Sequence, residues 1–274
     1  MFGAIIGDTV GSIYEFNNIK TKDFPLFDPD CRPTDDSYMT IAVAGAWLEC
    51  EGDLCAFREI LIDEMHRIGH RYPGSGYGGN FGAWLRDGCS EPYGSCGNGS
   101  AMRASPCGWV CDSLEETLAL AAASADVTHD HPEGIKGAQA TAAAIYLART
   151  GAGKEDIRAY IADTFGYDLN RTCDDIRPVY GWGALCQDTV PEAIVAFLDS
   201  ADFEDAIRNA ISLGGDSDTL ACITGSIAEA YYGVPAKLKQ DVMYFMRLDM
   251  HEDELAIIDE FTSRFVSHRK EETL

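Results

Sequence analysis

Positive charge is what this chain has least of. Its 274 residues carry 21 Lys and Arg against 45 Asp and Glu, a formal net charge of −24. Such a field repels polyanions at long range, which argues against nucleic acid and anionic membrane as partners. It leaves room for a small phosphate ligand held locally by backbone N–H groups and a metal ion. Long hydrophobic runs are missing too, since no stretch approaches the roughly 18 apolar residues of a membrane span. The apolar start lacks a basic segment and is interrupted by Asp8, so no signal peptide is expected. The ten cysteines form no C-x-x-C pair and no Cys/His ligand cluster. Buried thiols in a reducing compartment explain that pattern, and the expectation is a soluble, cytoplasmic protein.

Strand signals are scarce as well. Alternating runs bounded by turns are hard to find, whereas helix-period patterns cover 40–49, 54–68, 114–125, 133–149, 188–198, 203–213, 218–232, 235–247 and 252–267. The last of these predicts a buried stripe of Leu255, Ile258, Phe261 and Phe265, with Glu254 off it. Ala and Gly recur inside the helices, which allows close helix approach in an all-α body. Two Gly-rich loops, 73–82 and 94–100, lie in the first half, and 166–182 shows no clear period. With no linker, repeat or composition shift, the expectation is one domain over 1–274.

Against this background two short segments are over-supplied with oxygen. Pro33-Thr34-Asp35-Asp36-Ser37 and Gly214-Gly215-Asp216-Ser217-Asp218-Thr219 each set carboxylates and hydroxyls at the start of a helical run. Either one alone is explained by helix capping, because Asp, Ser and Thr satisfy free N–H groups and acids favour the positive end of the dipole. A cap needs one oxygen, however, and each segment has three or four. If the two starts met in the fold, their aspartates would repel strongly unless a cation sat among them. Hard oxygen donors of this kind suit Mg²⁺, Mn²⁺ or Ca²⁺ rather than Zn²⁺, and four carboxylates carry charge enough for two divalent ions. The EF-hand and P-loop spacings are absent.

Three further segments carry potential chemistry. Gly3, Gly7 and Gly11 fall on one helix face, a close-packing signature that leads to Glu15, an acid between two aromatics whose desolvation would raise its pKa. Gly97-Asn98-Gly99-Ser100-Ala101-Met102-Arg103 is a Gly-rich loop able to form an anion nest. Thr128-His129-Asp130-His131-Pro132 offers two histidines, for which ligand contact and helix entry are both open readings.

GAIIGDTVGSIYEF (3–16), TDDS (34–37), GNGSAMR (97–103), THDHP (128–132), GGDSDT (214–219) and AYYGVP (230–235) occur in an order that resembles the ADP-ribosylglycohydrolases, the family of the dinitrogenase reductase-activating glycohydrolase. The resemblance runs from residue 3 to about 235, and Ser37 and Ser217 stand where the family more often has threonine. It implies an all-α, compact single-domain fold with a dinuclear Mg²⁺ or Mn²⁺ site in a cleft. Carried over by position, Thr34, Asp35, Asp36, Asp216, Asp218 and Thr219 would be the metal ligands. Glu15, Asp35 and Asp36 would be the catalytic carboxylates. Asn98, Gly99, Ser100 and Met102 would cradle pyrophosphate and distal ribose, with His131 near the ligand. The implied activity is metal-dependent release of ADP-ribose from an arginine or serine side chain or a related conjugate. Two alternatives stand beside it: a non-catalytic ADP-ribose-binding or structural member, and a dinuclear phosphoesterase.

Overall fold

The central helix pair is built from the residues with the least side chain. In the computed structural model of the chain, which describes residues 1–267, α1 (Phe2–Gly11) is buried on every side, as a helix without a polar face must be. Three helices then pass through α2 (Asp35–Glu49), α3 (Leu54–Arg71) and α4 (Gly79–Arg86). Two short ones, α5 (Gly99–Met102) and α6 (Ser105–Val110), lead into α7 (Leu114–Asp126) and α8 (Pro132–Arg149). α9 (Lys154–Phe165), α10 (Cys173–Ile176), α11 (Cys186–Leu198) and α12 (Phe203–Leu213) follow. The chain then enters α13 (Ser217–Tyr232), α14 (Ala236–Asp249) and α15 (Glu252–Phe261), which widens into a π-helical turn over Thr262–Ser267. The described residues contain no strand, and one isolated bridge joins Gly97 to Leu185. The fold is all-α and compact, as the helix periods require.

α1 and α13 run antiparallel in backbone contact. A Cβ on Gly3 would lie 2.1 Å from the Gly225 carbonyl oxygen, one on Gly7 2.0 Å from that of Ala221, and one on Gly11 2.4 Å from the Asp218 Cα. Only glycine permits that approach. Its consequence is positional: the end of α1, which leads to Glu15, abuts the start of α13, which carries Asp218.

Several expectations are corrected in detail. α9 lies in a stretch without an expected helix, because only Ile157 and Ile161 of its residues are fully buried and the periodic signal is thin. α4 begins inside the Gly-rich 73–82 segment, and α10 interrupts 166–182. In α15 the buried stripe includes Glu254, which is fully buried, while Leu255 and Phe265 are only half-buried. The reason is pairing: Glu254 accepts from Arg67 Nη1 at 2.9 Å, Arg71 Nη1 at 2.7 Å and Tyr72 Oη at 2.9 Å. A buried carboxylate is tolerated where its oxygens are satisfied. Among the described residues, no helix is long and apolar enough to cross a membrane.

Candidate metal centre and binding cleft

Neither oxygen-rich helix start is capped by its own side chain. Thr34 occupies the N-cap of α2 and Asp216 that of α13, and neither side chain accepts from its helix. At α2 the cap comes from α1 instead. Asp8, fully buried, accepts from Thr34 N at 2.9 Å, Thr34 Oγ1 at 2.5 Å and Ser37 N at 3.1 Å, and also from the Ser37 hydroxyl. At α13 the Asp216 Oδ2 accepts from Asn98 Nδ2, 2.8 Å away on the Gly-rich loop. Gly214 and Gly215 turn the chain into α13 with φ of 72° and 73°, values that a residue with a Cβ rarely adopts. Capping therefore does not account for the surplus carboxylates.

The two helix starts meet. Asp8, Asp36 and Asp218 have ligand oxygens within 4.8 Å of one another, and so do Glu15, Asp216 and Asp218. Asp218 belongs to both groups, so the described residues hold two adjoining carboxylate clusters. Thr219 donates its hydroxyl to Asp36 Oδ2 at 3.3 Å, while the buried Asp36 Oδ1 has no hydrogen-bond partner. An unpartnered buried carboxylate oxygen is costly unless a cation or proton meets it. Burial, reinforced by the neighbouring aspartates, holds the carboxyls of Asp35, Asp36 and Asp218 well above the usual range. Burial raises Asp8 to about 6. Glu15 rises to about 7 through burial and then the charges of Asp216 and Asp8. Burial is the first cause of every one of these shifts, and at Glu15, Asp35, Asp36 and Asp218 the neighbouring carboxylates add to it. The acidic clusters can hold metal ions, and their donor set is hard oxygen throughout.

The clusters lie in a cleft with about 910 Å³ of free space, its mouth included. Glu15, Asp35, Asp36, Asp216, Asp218 and Thr219 line its acidic part, and Asn98, Gly99, Met102, Tyr93, His129 and Trp182 line much of the rest. The enclosed part measures about 280 Å³, at the lower end of the roughly 300–1,000 Å³ usual for ligand pockets.

Comparison with known proteins decides the family. The model of the family described as ADP-ribosylglycohydrolase matches residues 1–270. The chain belongs to the ADP-ribosylglycohydrolase family. It is similar to the ADP-ribosylhydrolase ARH3 of Mus musculus, at 28% identity over 90% of this chain and 87% of that protein. It is also similar to the ADP-ribosylarginine hydrolase Tri1 of Pseudomonas putida, at 27% identity over 85% of this chain and 70% of that protein. A solved structure titled "ADP-ribosylglycohydrolase-related protein complex" shares the fold with a TM-score of 0.67, at 22% identity, covering 91% of this chain and 96% of that one.

Within this ADP-ribosylglycohydrolase, the residues singled out from sequence fall into three groups. Glu15, Asp35, Asp36, Asp216, Asp218 and Thr219 converge on the cleft, and Thr34 sits behind them with its hydroxyl on Asp8. Asn98, Gly99 and Met102 reach the wall, but Ser100 does not line it: its hydroxyl is turned inward to the Gly134 carbonyl at 2.7 Å. His131 is exposed at the N-cap of α8, where its Nδ1 accepts from Glu133 N at 3.1 Å. The histidine on the cleft wall is His129, whose Nε2 would stand 3.1 Å from a Cβ on Gly99. Proline at 132 explains the exchange, because it holds His131 extended as a cap and leaves His129 to point inward.

Besides His129, Asp8 and Arg103 were missed from sequence. Asp8 had one signal, a lone acid inside a glycine-spaced apolar helix, since a charge there must find partners. Arg103 is 1% exposed, and it donates to Ser124 O at 2.7 Å and to Thr128 Oγ1 at 2.8 Å. Thr128 Oγ1 lies 2.7 Å from His129 Nδ1. Arginine only donates, which leaves the threonine proton available to Nδ1; in that pairing His129 carries its own proton on Nε2. Burial, then the Arg103 charge, holds that ring well below the usual histidine pKa, so it is neutral.

Proposed function

We propose that this chain is a metal-dependent ADP-ribosyl hydrolase that frees ADP-ribose from an arginine or serine side chain or a related conjugate. The observation that carries the reading is the pair of carboxylate clusters sharing Asp218 at one cleft, with the buried Asp36 Oδ1 left open. Thr34, Asp35, Asp36, Asp216, Asp218 and Thr219 would hold two divalent ions, Mg²⁺ or Mn²⁺. Thr34 has given its proton to Asp8 and keeps lone pairs to offer. When bound, such ions supply positive charge that holds hydroxyl oxygens and acidifies water.

The chain's own groups divide the remaining work. Hydrolysis breaks the bond between ribose C1″ and the side-chain atom, places a water OH on C1″ and returns a proton to the leaving atom. Positive charge develops on the sugar, and the carboxylates of Asp35 and Asp36 favour it. Glu15, raised to about 7 in the metal-free chain chiefly by burial, lines the cleft beside Asp216 and Asp218 and is placed to move that proton. Asn98 orients Asp216. The backbone of 98–100 and Met102 form the wall for pyrophosphate and distal ribose, where His129 Nε2–H donates to a phosphate oxygen. A local nest of N–H donors answers the repulsion a chain of −24 would otherwise exert on pyrophosphate.

The partner is an ADP-ribosylated protein or a small ADP-ribose conjugate, met in the cytoplasm. Nucleic acid is disfavoured by charge. One domain over 1–274 would carry the activity, its last seven residues lying outside the described structure. Incubation with arginine-, serine- and nucleotide-linked ADP-ribose, with and without EDTA, tests the reading. Release abolished by the chelator is expected. No release from any conjugate, or release indifferent to EDTA, overturns it, and tight ADP-ribose binding without turnover would mark a non-catalytic member.

A further inference from the structure

Two aromatic side chains stand in the open beside the acidic end of the cleft. Phe16 is 78% exposed and Trp182 54% exposed, and their rings stack with centroids 5.5 Å apart and planes inclined by 23°. Phe16 follows Glu15 directly, and Trp182 itself lines the cleft. Large apolar rings left in water at one spot call for an explanation, because burial elsewhere would be favourable.

The pair is held there by the turn that supports the acidic site. Asn18 exchanges two hydrogen bonds with Gly215, donating from Nδ2 to its carbonyl at 2.9 Å and accepting from its N–H at 2.7 Å. Lys20 Nζ donates to the Tyr180 carbonyl at 2.8 Å and also to that of Leu213. Both ring-bearing segments, 16–20 and 180–182, are thereby tied to the Leu213–Gly215 turn that precedes Asp216. The rings keep a set position relative to the carboxylates.

The surroundings specify what the rings would accept. With Asp35, Asp216 and Asp218 assigned to the ions, Glu15, next to Phe16 in the chain and lining the same cleft, is the carboxylate left to meet a cation there. Among the described residues the cation lining it is Arg103, whose donors are taken by the Ser124 and Gly99 carbonyls and Thr128. A flat, cationic group would stack on the indole and be drawn by Glu15 at once. A neutral hydroxyl side chain gains from neither effect.

We propose that Phe16 and Trp182 form the subsite for the group that carries ADP-ribose, and that they select a guanidinium, favouring arginine-linked over serine-linked conjugates. This rests on the hydrolase reading above and names the substrate class of the same site.

The test compares kcat/KM for arginine- and serine-linked ADP-ribose in the full chain and in W182A, W182L and W182F, with F16A alongside. The arginine-to-serine ratio should fall about threefold to thirtyfold in W182A and W182L, the size of a cation–π contact, and be largely kept in W182F. An unchanged metal-induced shift in Tm would show that each variant is folded with its acidic site intact. A ratio that moves less than about twofold in W182A, or that Leu preserves as well as Phe, overturns the proposal. So does a wild-type preference for the serine conjugate, which would leave the hydrolase reading standing. Agmatine titrated against the Trp182 indole N–H resonance reads the contact without turnover. A saturable shift is expected even where no conjugate is cleaved, and its absence overturns the subsite by itself.

Discussion

Asp8 takes both the backbone N–H and the hydroxyl of Thr34, at 2.9 and 2.5 Å, across 26 residues of sequence. A carboxylate on the buried central helix thus serves as the cap of a neighbouring helix, and leaves the aspartates at that helix start free to face the cleft. Replacing it with asparagine sets an NH₂ against N–H and O–H donors. Each buried donor left unmet costs about 1–3 kcal/mol. Asp8→Asn should lower Tm by several degrees and weaken metal affinity about 10- to 100-fold, as loss of a ligand's support does. Calorimetry with and without Mn²⁺ checks both effects, and a variant equal to wild type in each would refute the capping role.

The acidic clusters predict a stabilisation that depends on ions. At about 100 times Kd a bound ion adds about 2.7 kcal/mol, or about 5–10 °C in Tm for a chain of this size. Asp36→Ala and Asp216→Ala should each abolish that rise in Mg²⁺ or Mn²⁺ titrations. If both variants still gained stability from either ion, the ligand assignment would be wrong.

The dependence on pH follows from the same crowding. Asp8 is raised from 3.8 to about 6 and Glu15 from 4.5 to about 7, chiefly by burial, and Asp35, Asp36 and Asp218 are raised in the same direction. Groups raised on folding bind more protons in the native state, so their contribution is full below about pH 4 and is lost as pH rises through the raised values. His129 acts oppositely, since its depressed pKa gives stability that is present above 6.5 and lost on acidification. With five carboxyls against one imidazole, the metal-free protein should be penalised as pH rises, and ions should relieve the penalty. The gap in Tm between metal-loaded and chelated protein is expected to widen from about pH 5 to about pH 8. A constant or narrowing gap would contradict it.

The two histidines of 128–132 should separate cleanly. His129→Ala removes a neutral donor from the cleft wall and should lower kcat/KM about tenfold or more, the loss of roughly one hydrogen bond to a charged group. His131→Ala removes a helix cap and should cost about 1 kcal/mol of stability with little effect on turnover. Steady-state kinetics beside thermal melts distinguish the two, and the reverse pattern would restore His131 to the site.

Much of this was legible in the chain itself. The spacing of Gly3, Gly7 and Gly11 announced a close helix contact, because without a Cβ at these positions two backbones can touch. The oxygen surplus at 34–37 and 216–219 announced a site, because a cap cannot use that many oxygens. What the sequence could not show was direction and partnership. That Glu254 would be buried depended on Arg67, Arg71 and Tyr72 from a distant helix, and that Ser100 would turn from the cleft depended on Gly134. His129 and His131 have the same local composition, and only the entry to α8 decided which one caps and which points inward. Residue types and spacing determined the helices and the kinds of atom available for chemistry, since those follow from local sterics and hydrogen-bonding capacity. Tertiary packing decided which carboxylates share a cleft, because the repulsion among Asp8, Asp36 and Asp218 arises only when α1, α2 and α13 are brought together.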